Sequence, residues 1–403
     1  MPFRDAWLLV GGALALIGFG AAEPVISAVG FVIILIGGVS RYWSRHLFTR
    51  TEFTARLSEH RAFINEPVTL DVELVNRKAL PLPWYEWRMA LADSIHITSE
   101  SLAASVAPGL SWLYRKGAMG WYERRAWQFT LTADERGHFQ VGPTAIKSAD
   151  LFGVFPSQKE YAPIEFLTVY PRVFGLEDLG FPADRPFGEV LGGSPVLEDP
   201  LRVSGLRDYR PGDPLRRIDW KATARTGDLM SRVYEPSATR QLYLCLNIDT
   251  MEHAWEGYLK AELERAVSTT ASVAIWAAEQ KYAVGLLANG SFPEADRPIR
   301  LPPSRSRDQV IRILEALAVI QPLTLGDLAG ALMRESGRIP AGSTVVCVAS
   351  LIPEALAGVL LRLHQEGHRV HVIGTSERVS GAVPVEIPLK LLGRGYERQE
   401  AAT

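Results

Sequence analysis

The sequence predicts two N-terminal transmembrane helices, then a β-sandwich-like module, then a C-terminal α/β domain with a parallel sheet covered by helices on both faces. Three observations predict it. Two uncharged 17-residue runs open the chain, period-two stretches between turn residues occupy its middle, and apolar strands alternate with amphipathic helices towards its end. At 403 residues the chain has room for two or three cores. The boundaries read as a hairpin over 1–45, a β-rich module over 50–172, a linker with a charged segment over 173–238, and the α/β domain over 239–403.

Ala6 to Ala22 and Pro24 to Ser40 are the uncharged runs, parted by Glu23-Pro24. Each lies at the short end of spanning length. Gly11, Gly12, Gly18, Gly20, Gly30, Gly37 and Gly38 weaken a helix in water, but small residues let two helices approach closely in lipid. Arg4 precedes the first run, and Arg41, Arg45, Arg50, Arg56 and Arg61 follow the second. That bias places both termini and the soluble domains in the cytoplasm of a two-span membrane protein. The rival is a cleaved signal peptide ending near Ala21-Ala22. The second run followed by RYWSRH favours the hairpin.

From about Phe53 the period is two: Val68, Leu70, Val72 and Leu74 alternate with Thr69, Asp71 and Glu73. Further strands are expected at Trp84–Leu91, Glu123–Thr132, Gly137–Val141 and Phe166–Tyr170. Turn signals at such spacing suggest a sandwich, with most of the module's tryptophans in its core. Pro171 to Pro200 is rich in Pro, Gly and Asp with little periodicity and reads as a linker or extended arm.

In the last part, strands are expected at Leu242–Ile248, Tyr282–Leu287, Thr344–Ala349 and Val370–Ile373. Helical patterns run from Leu259 to Ala274, from Val310 to Leu317 and from Pro353 to Gln365. Cys245 and Cys347 are the two cysteines, each within an apolar strand, so no disulfide framework or Cys-rich zinc site is available. The net charge of −2 argues against a nucleic-acid partner. His364, His368 and His371 lie close in sequence, but Gly367 and the strand-like VHVI point to a helix end rather than a metal site.

Gly205 to Glu235 departs from all of this. It holds twelve charged residues of interleaved sign: Arg207, Asp208, Arg210, Asp213, Arg216, Arg217, Asp219, Lys221, Arg225, Asp228, Arg232 and Glu235. Pro211-Gly212-Asp213-Pro214 forces a turn. Ile218, Trp220, Ala222 and Ala224 then supply apolar anchors between charges. Two readings stand: a recognition surface of Arg forks around Trp220, or a salt-bridge clasp in which Asp219 pairs with Arg216, Lys221 or Arg225.

The pattern R-x-Y-x-P-G-D-P-x-R-x-I-D-W-K-x-x-A-R runs through Arg207, Tyr209, Pro211, Gly212, Asp213, Pro214, Arg216, Ile218, Asp219, Trp220, Lys221, Ala224 and Arg225. It closely resembles the signature of the bacterial domain-of-unknown-function-58 family. LPLPWYE, DERGHFQVGP and SADLFGVF resemble the same family less specifically. The resemblance implies two membrane spans, a β-rich region and a von Willebrand A-like domain, in proteins often encoded beside MoxR-type AAA+ ATPases and transglutaminase-like proteins. A von Willebrand A-like domain opens a metal motif, Asp-x-Ser-x-Ser, after its first strand. Here Asp249-Thr250-Met251-Glu252-His253 stands in that place, and Met251 and His253 offer no hard oxygen ligand. No cofactor is therefore expected, and Mg²⁺ at Asp249 is doubtful.

No P-loop, G-x-S-x-G, H-E-x-x-H or G-x-G-x-x-G occurs. The expectation is a membrane-anchored, non-enzymatic scaffold or adaptor that binds a protein partner through the charged segment, Arg207, Tyr209, Asp213, Arg216, Arg217, Asp219, Trp220, Lys221 and Arg225. The resemblance makes a MoxR-type ATPase the partner to expect. The alternative is a hydrolase-like enzyme using Asp213 and Asp219 as an acid/base pair on an anionic substrate. An inverted topology would instead make an envelope-facing binding domain.

Overall fold

The computed structural model describes residues 6–98, 100–161, 164–182, 186–187, 198–210, 213–236, 241–291 and 298–392. It divides into two compact units, Met1–Tyr170 and Pro171–Thr403.

The first unit begins with α1 (Ala6–Gly20) and α2 (Pro24–His46), packed against each other. Of the two, α2 is long and apolar enough to cross a membrane, while α1 is a shorter apolar helix. Their contact is made of glycine. Gly11 and Gly18 on α1 and Gly30 and Gly37 on α2 are buried, and each pair is seven residues apart. A Cβ at Gly18 would fall on the Ser27 backbone, one at Gly30 on Ala15, and one at Gly37 on the Trp7 ring. Outward, Leu9, Leu16, Phe19, Val25, Phe31 and Leu35 are exposed.

Twelve strands follow among the described residues: β1 (Thr51–Leu57), β2 (Arg61–Phe63), β3 (Val68–Asn76), β4 (Leu82–Ala92), β5 (Ile95–Ile97), β6 (Ala103–Ala104), β7 (Leu110–Met119), β8 (Arg124–Ala133), β9 (Gly137–Val141), β10 (Thr144–Ser148), β11 (Ser157–Tyr161) and β12 (Glu165–Tyr170). They form sheets ordered β1-β3-β8-β5, β11-β10-β4-β7-β6 and β2-β12-β9. The alternation read from the sequence is physical here. Along β1, inward Phe53, Ala55 and Leu57 alternate with exposed Glu52, Thr54 and Arg56. Trp87 is wholly buried at the centre, 5.8 Å from Phe53, 5.6 Å from Trp127 and 6.2 Å from Phe129 between ring centroids. Trp84 and Trp121 are exposed instead.

Among the described residues of this unit two charged side chains are buried, and the first ties the end of the helices to the strands. Lys78 is buried, donating from Nζ to the Leu47 carbonyl just beyond α2 and to Thr51 Oγ1 at 2.8 Å. Burial, with Lys159 nearby, pulls its pKa down to about 8. Asp150 is also buried. Burial alone would raise its pKa, but the amides of Phe155, Phe152 and Val154 hold it below the usual carboxylate range.

The second unit holds β13 (Glu198–Asp208), α3 (Trp220–Thr226), β14 (Met230–Pro236), β15 (Gln241–Asn247), α4 (Lys260–Glu279), β16 (Ala283–Ala288), β17 (Gly290–Ser291), β18 (Ile299–Ser304), α5 (Asp308–Val319), β19 (Gln321–Thr324), α6 (Leu328–Ser336), β20 (Thr344–Ala349), α7 (Glu354–Gln365), β21 (Arg369–Gly374) and β22 (Leu389–Leu391). Its main sheet runs β18-β16-β15-β20-β21-β22. The sheet is mixed, not wholly parallel, because β18 pairs antiparallel with β16 at one edge. β18 reads IRLPPS, and its two prolines are tolerated there because an edge strand leaves N–H groups unpaired. Inner strands β16 and β20 are buried at every residue, the signature of a sheet covered on both faces. Cys245 and Cys347 are register partners on β15 and β20, both buried, and burial raises both thiols.

Within the stretch read as a linker or extended arm, described residues pack on α4 and the sheet. Phe174 N–H donates to Ser272 Oγ at 2.9 Å, and Phe187 meets the rings of Trp276 and His371, each 5.4 Å away. Ala266 to Ala274 of α4 is buried at every position because α4 packs against the sheet and against α5, with the arm at Ser272. Residues 188–197 of that stretch lie outside the described residues. The packed His371 ring has its pKa lowered by burial first and by Arg369 and His364 next.

Candidate functional site

The charged segment folds as a two-stranded antiparallel ribbon, β13 with β14, whose tip carries a single-turn 3-10 helix at Leu215–Arg217 and the short α3. Pro211-Gly212 of the expected turn lies outside the described residues. The turn is closed on its described side by Asp213, whose N–H donates to the Arg210 carbonyl at 3.0 Å. Asp213 Oδ2 accepts the Arg210 amide at 3.0 Å while Oδ1 accepts from Arg207 at 2.7 Å.

Asp219 does the equivalent work for α3. Its Oδ1 accepts from the amides of Lys221 and Ala222 at 3.1 and 3.0 Å, an N-cap satisfying two donors that the helix cannot. Its Oδ2 accepts from Arg232 Nε at 3.0 Å. The partner is thus Arg232 on β14, not Arg216, Lys221 or Arg225, because the strand pairing brings Ser231 opposite Ile218. Thr223 Oγ1 accepts the Met230 amide at 3.0 Å, and Gly227, at φ +86°, ends the helix.

Both carboxylates are acidified. Arg207 first, then the Arg210 amide, holds Asp213 below the usual range; the Ala222 amide first, then Arg232, does so for Asp219. A general base works best with a pKa near the working pH. These two are displaced the other way, with their oxygens already committed to structure.

Among the anchors expected from the sequence, Ile218 is 5% exposed, but Trp220 is 67% exposed and Ala224 is exposed too. Leu215 (71%), Leu206 and Leu229 join them on the surface. Arg216, Lys221 and Arg225 are also exposed, while Tyr209 and Arg217 are half-buried. Asp213 and Asp219 turn inward to amides and arginines, while Asp208 and Asp228 are exposed on the same ribbon. The outward groups are therefore Arg216, Lys221 and Arg225 with Leu215 and Trp220, together with the carboxylates of Asp208 and Asp228.

At the carboxyl end of β15, Asp249 is enclosed in neutral donors. Asn289 Nδ2 donates to its Oδ2 at 2.8 Å and the Thr324 hydroxyl to its Oδ1 at 2.6 Å. Asn247 is tied to Asn289 at 2.8 Å, and Thr250 Oγ1 accepts the Leu259 amide at 2.9 Å. Asn289 and Thr324, far apart in sequence, could not have been grouped with Asp249 before the fold was known. Among the described residues, no group of three or more His, Cys, Asp or Glu side chains is placed to hold a metal ion.

Residues 205–389 match the family described as "Protein of unknown function DUF58". The chain is 24% identical over 231 residues to the "Uncharacterized protein YeaD" of Bacillus subtilis (strain 168), an overlap of 56% of this chain and 53% of that protein. It therefore spans about half the length of that relative. Among solved structures, it is similar over 30% of its length to the CARDB domain of a Pyrococcus furiosus protein (96% of that chain, 13% identity, TM-score 0.19). It is also similar over 29% of its length to a non-cellulosomal cohesin of Archaeoglobus fulgidus (91% of that chain, 8% identity, TM-score 0.20). At these scores neither likeness carries an argument. The family that the signature segment resembles is the one that residues 205–389 match: DUF58.

Proposed function

We propose that the protein is a membrane-anchored, non-enzymatic scaffold or adaptor whose ribbon tip binds a protein partner. In this reading α1 and α2 both cross the bilayer with their ends in the cytoplasm. The strand-rich region acts as a sandwich-like spacer, and the α/β region is a von Willebrand A-like domain in which Asp249 serves hydrogen bonding rather than Mg²⁺. The observation that carries it is Trp220, two-thirds exposed, with Arg216 and Lys221 also exposed, on a tip where Asp213 and Asp219 are engaged internally. Exposed Trp and Arg are the side chains that most often anchor interfaces. A basic and apolar tip fits an acidic partner surface with an apolar centre. The resemblance to families encoded beside MoxR-type AAA+ ATPases makes such an ATPase the partner to try first.

The test is crosslinking capture from native membranes with wild type, Trp220→Ala and the double variant Arg216→Ala/Lys221→Ala. Capture of a specific partner should be lost in both variants at unchanged melting temperature. Equal capture by all three would overturn the reading. The acid/base alternative predicts that Asp213→Asn abolishes turnover of an anionic substrate, but the acidified, internally bonded carboxylates disfavour it.

A further inference from the structure

Between β10 and β11 the chain makes a tight loop, Asp150-Leu151-Phe152-Gly153-Val154-Phe155, that belongs neither to the helices nor to the strand core. Three of its apolar side chains point outward: Leu151 is 60% exposed, Phe152 54% and Val154 48%. The loop is rigidly held. Asp150 accepts the Phe155 amide at 2.6 Å through Oδ1 and the Phe152 amide at 3.1 Å through Oδ2, and its carbonyl accepts from Gly153 at 3.0 Å. Gly153 has φ +73°, a conformation that side chains resist. A loop built to display three apolar groups to water has no purpose in water, since burial of each would be favourable.

Its surroundings say what it displays them to. Phe155 is buried, with the Trp7 ring of α1 edge-on at 6.4 Å and the Arg41 guanidinium of α2 over its ring at 5.5 Å. Trp7 in turn rests on Gly37 of α2. The loop therefore sits beside α2 at the level where its uncharged run ends at Ser40 and its charges begin at Arg41. That level is the boundary between hydrocarbon and headgroups, where aromatic and basic side chains concentrate. The outward face of α2 just above it, Leu35, Ile36 and Val39, is exposed and apolar, so the apolar surface of the helices continues onto the loop.

We propose that Leu151, Phe152 and Val154 insert into the lipid interface as a third, non-spanning membrane contact. This rests on the reading that α2 lies in the bilayer. Together with the spans it would hold the strand-rich region in one orientation against the membrane, because a helical hairpin alone leaves rotation about its own axis open. The occupant is the acyl and glycerol layer of a phospholipid bilayer rather than a protein, because the loop is level with the span's end.

The experiment uses the full chain, whose two native cysteines are buried. Single cysteines replace Phe152 or Leu151 and are labelled with an environment-sensitive fluorophore. Val32→Cys on the outward face of α2 and Val106→Cys on a fully exposed loop serve as references. After reconstitution into phospholipid vesicles, labels at Phe152→Cys and Leu151→Cys should emit to the blue of the Val106→Cys label. They should also lose intensity when lipids carrying acyl-chain nitroxides are included. If Val32→Cys is quenched while both loop labels behave like Val106→Cys, the proposal is overturned and the membrane anchor stands. Blue-shifted but unquenched loop labels would mean a protein covers them, which also overturns it. An unquenched Val32→Cys would remove the anchor and the proposal together.

Discussion

Asp219 shows how one side chain sets the character of the ribbon tip. It closes α3 by capping two amides and ties the tip to β14 through Arg232. Asp219→Ala removes both functions, whereas Asp219→Asn keeps the cap, since Asn caps about as well as Asp. We expect the melting temperature to fall clearly for the alanine variant and to recover most of the loss in the asparagine variant. By contrast, Arg216→Ala and Lys221→Ala, at exposed positions, should stay within about 0.5 kcal/mol of wild type. Differential scanning calorimetry of the four variants checks this. If Asp219→Asn is as damaged as Asp219→Ala, the Arg232 pairing rather than the cap holds the tip together.

At the scale of elements, the helical hairpin is constrained at its glycines. Gly18 and Gly30 sit where the partner backbone leaves no room for a Cβ, while Gly12 and Gly38 face open space. Seven glycines in two apolar runs thus divide into seam and surface. In a bilayer the seam gains from close contact, because lipid gives apolar side chains no reason to prefer a neighbouring helix. Gly30→Leu should separate the helices and lower thermal stability in detergent micelles. Gly38→Leu should leave the midpoint near that of wild type. Equal losses in both would mean that the glycines matter through helix propensity rather than packing.

For the molecule as a whole, the arginines on and after α2 bear on orientation. Arg41, Arg45, Arg50, Arg56 and Arg61 follow the second apolar run closely, and short flanks rich in Arg stay on the cytoplasmic side. A reporter fused after Thr403 should be active only in the cytoplasm. A periplasmic signal would reverse the topology and turn the tip of the ribbon towards envelope partners.

Local pattern was enough to read the strand-rich middle, the alternating strands and helices of the end, and the separateness of the signature segment. The edge strand Gly137–Val141 and the inner strand Thr344–Ala349 emerged with the boundaries that local pattern predicts, because side-chain alternation and continuous apolarity are properties of neighbours in sequence. What needed the tertiary structure depends on residues distant in sequence. The strand at Ile299–Ser304, disguised by two prolines, exists because a sheet edge accepts it. That Phe174 and Phe187 pack on α4 and β21 could not be read from the linker-or-arm composition of their stretch. Arg232 rather than a nearer cation meets Asp219 because strand pairing, not sequence distance, decides which charges touch, and only the fold shows that Ile218 is buried while Trp220 stays outside.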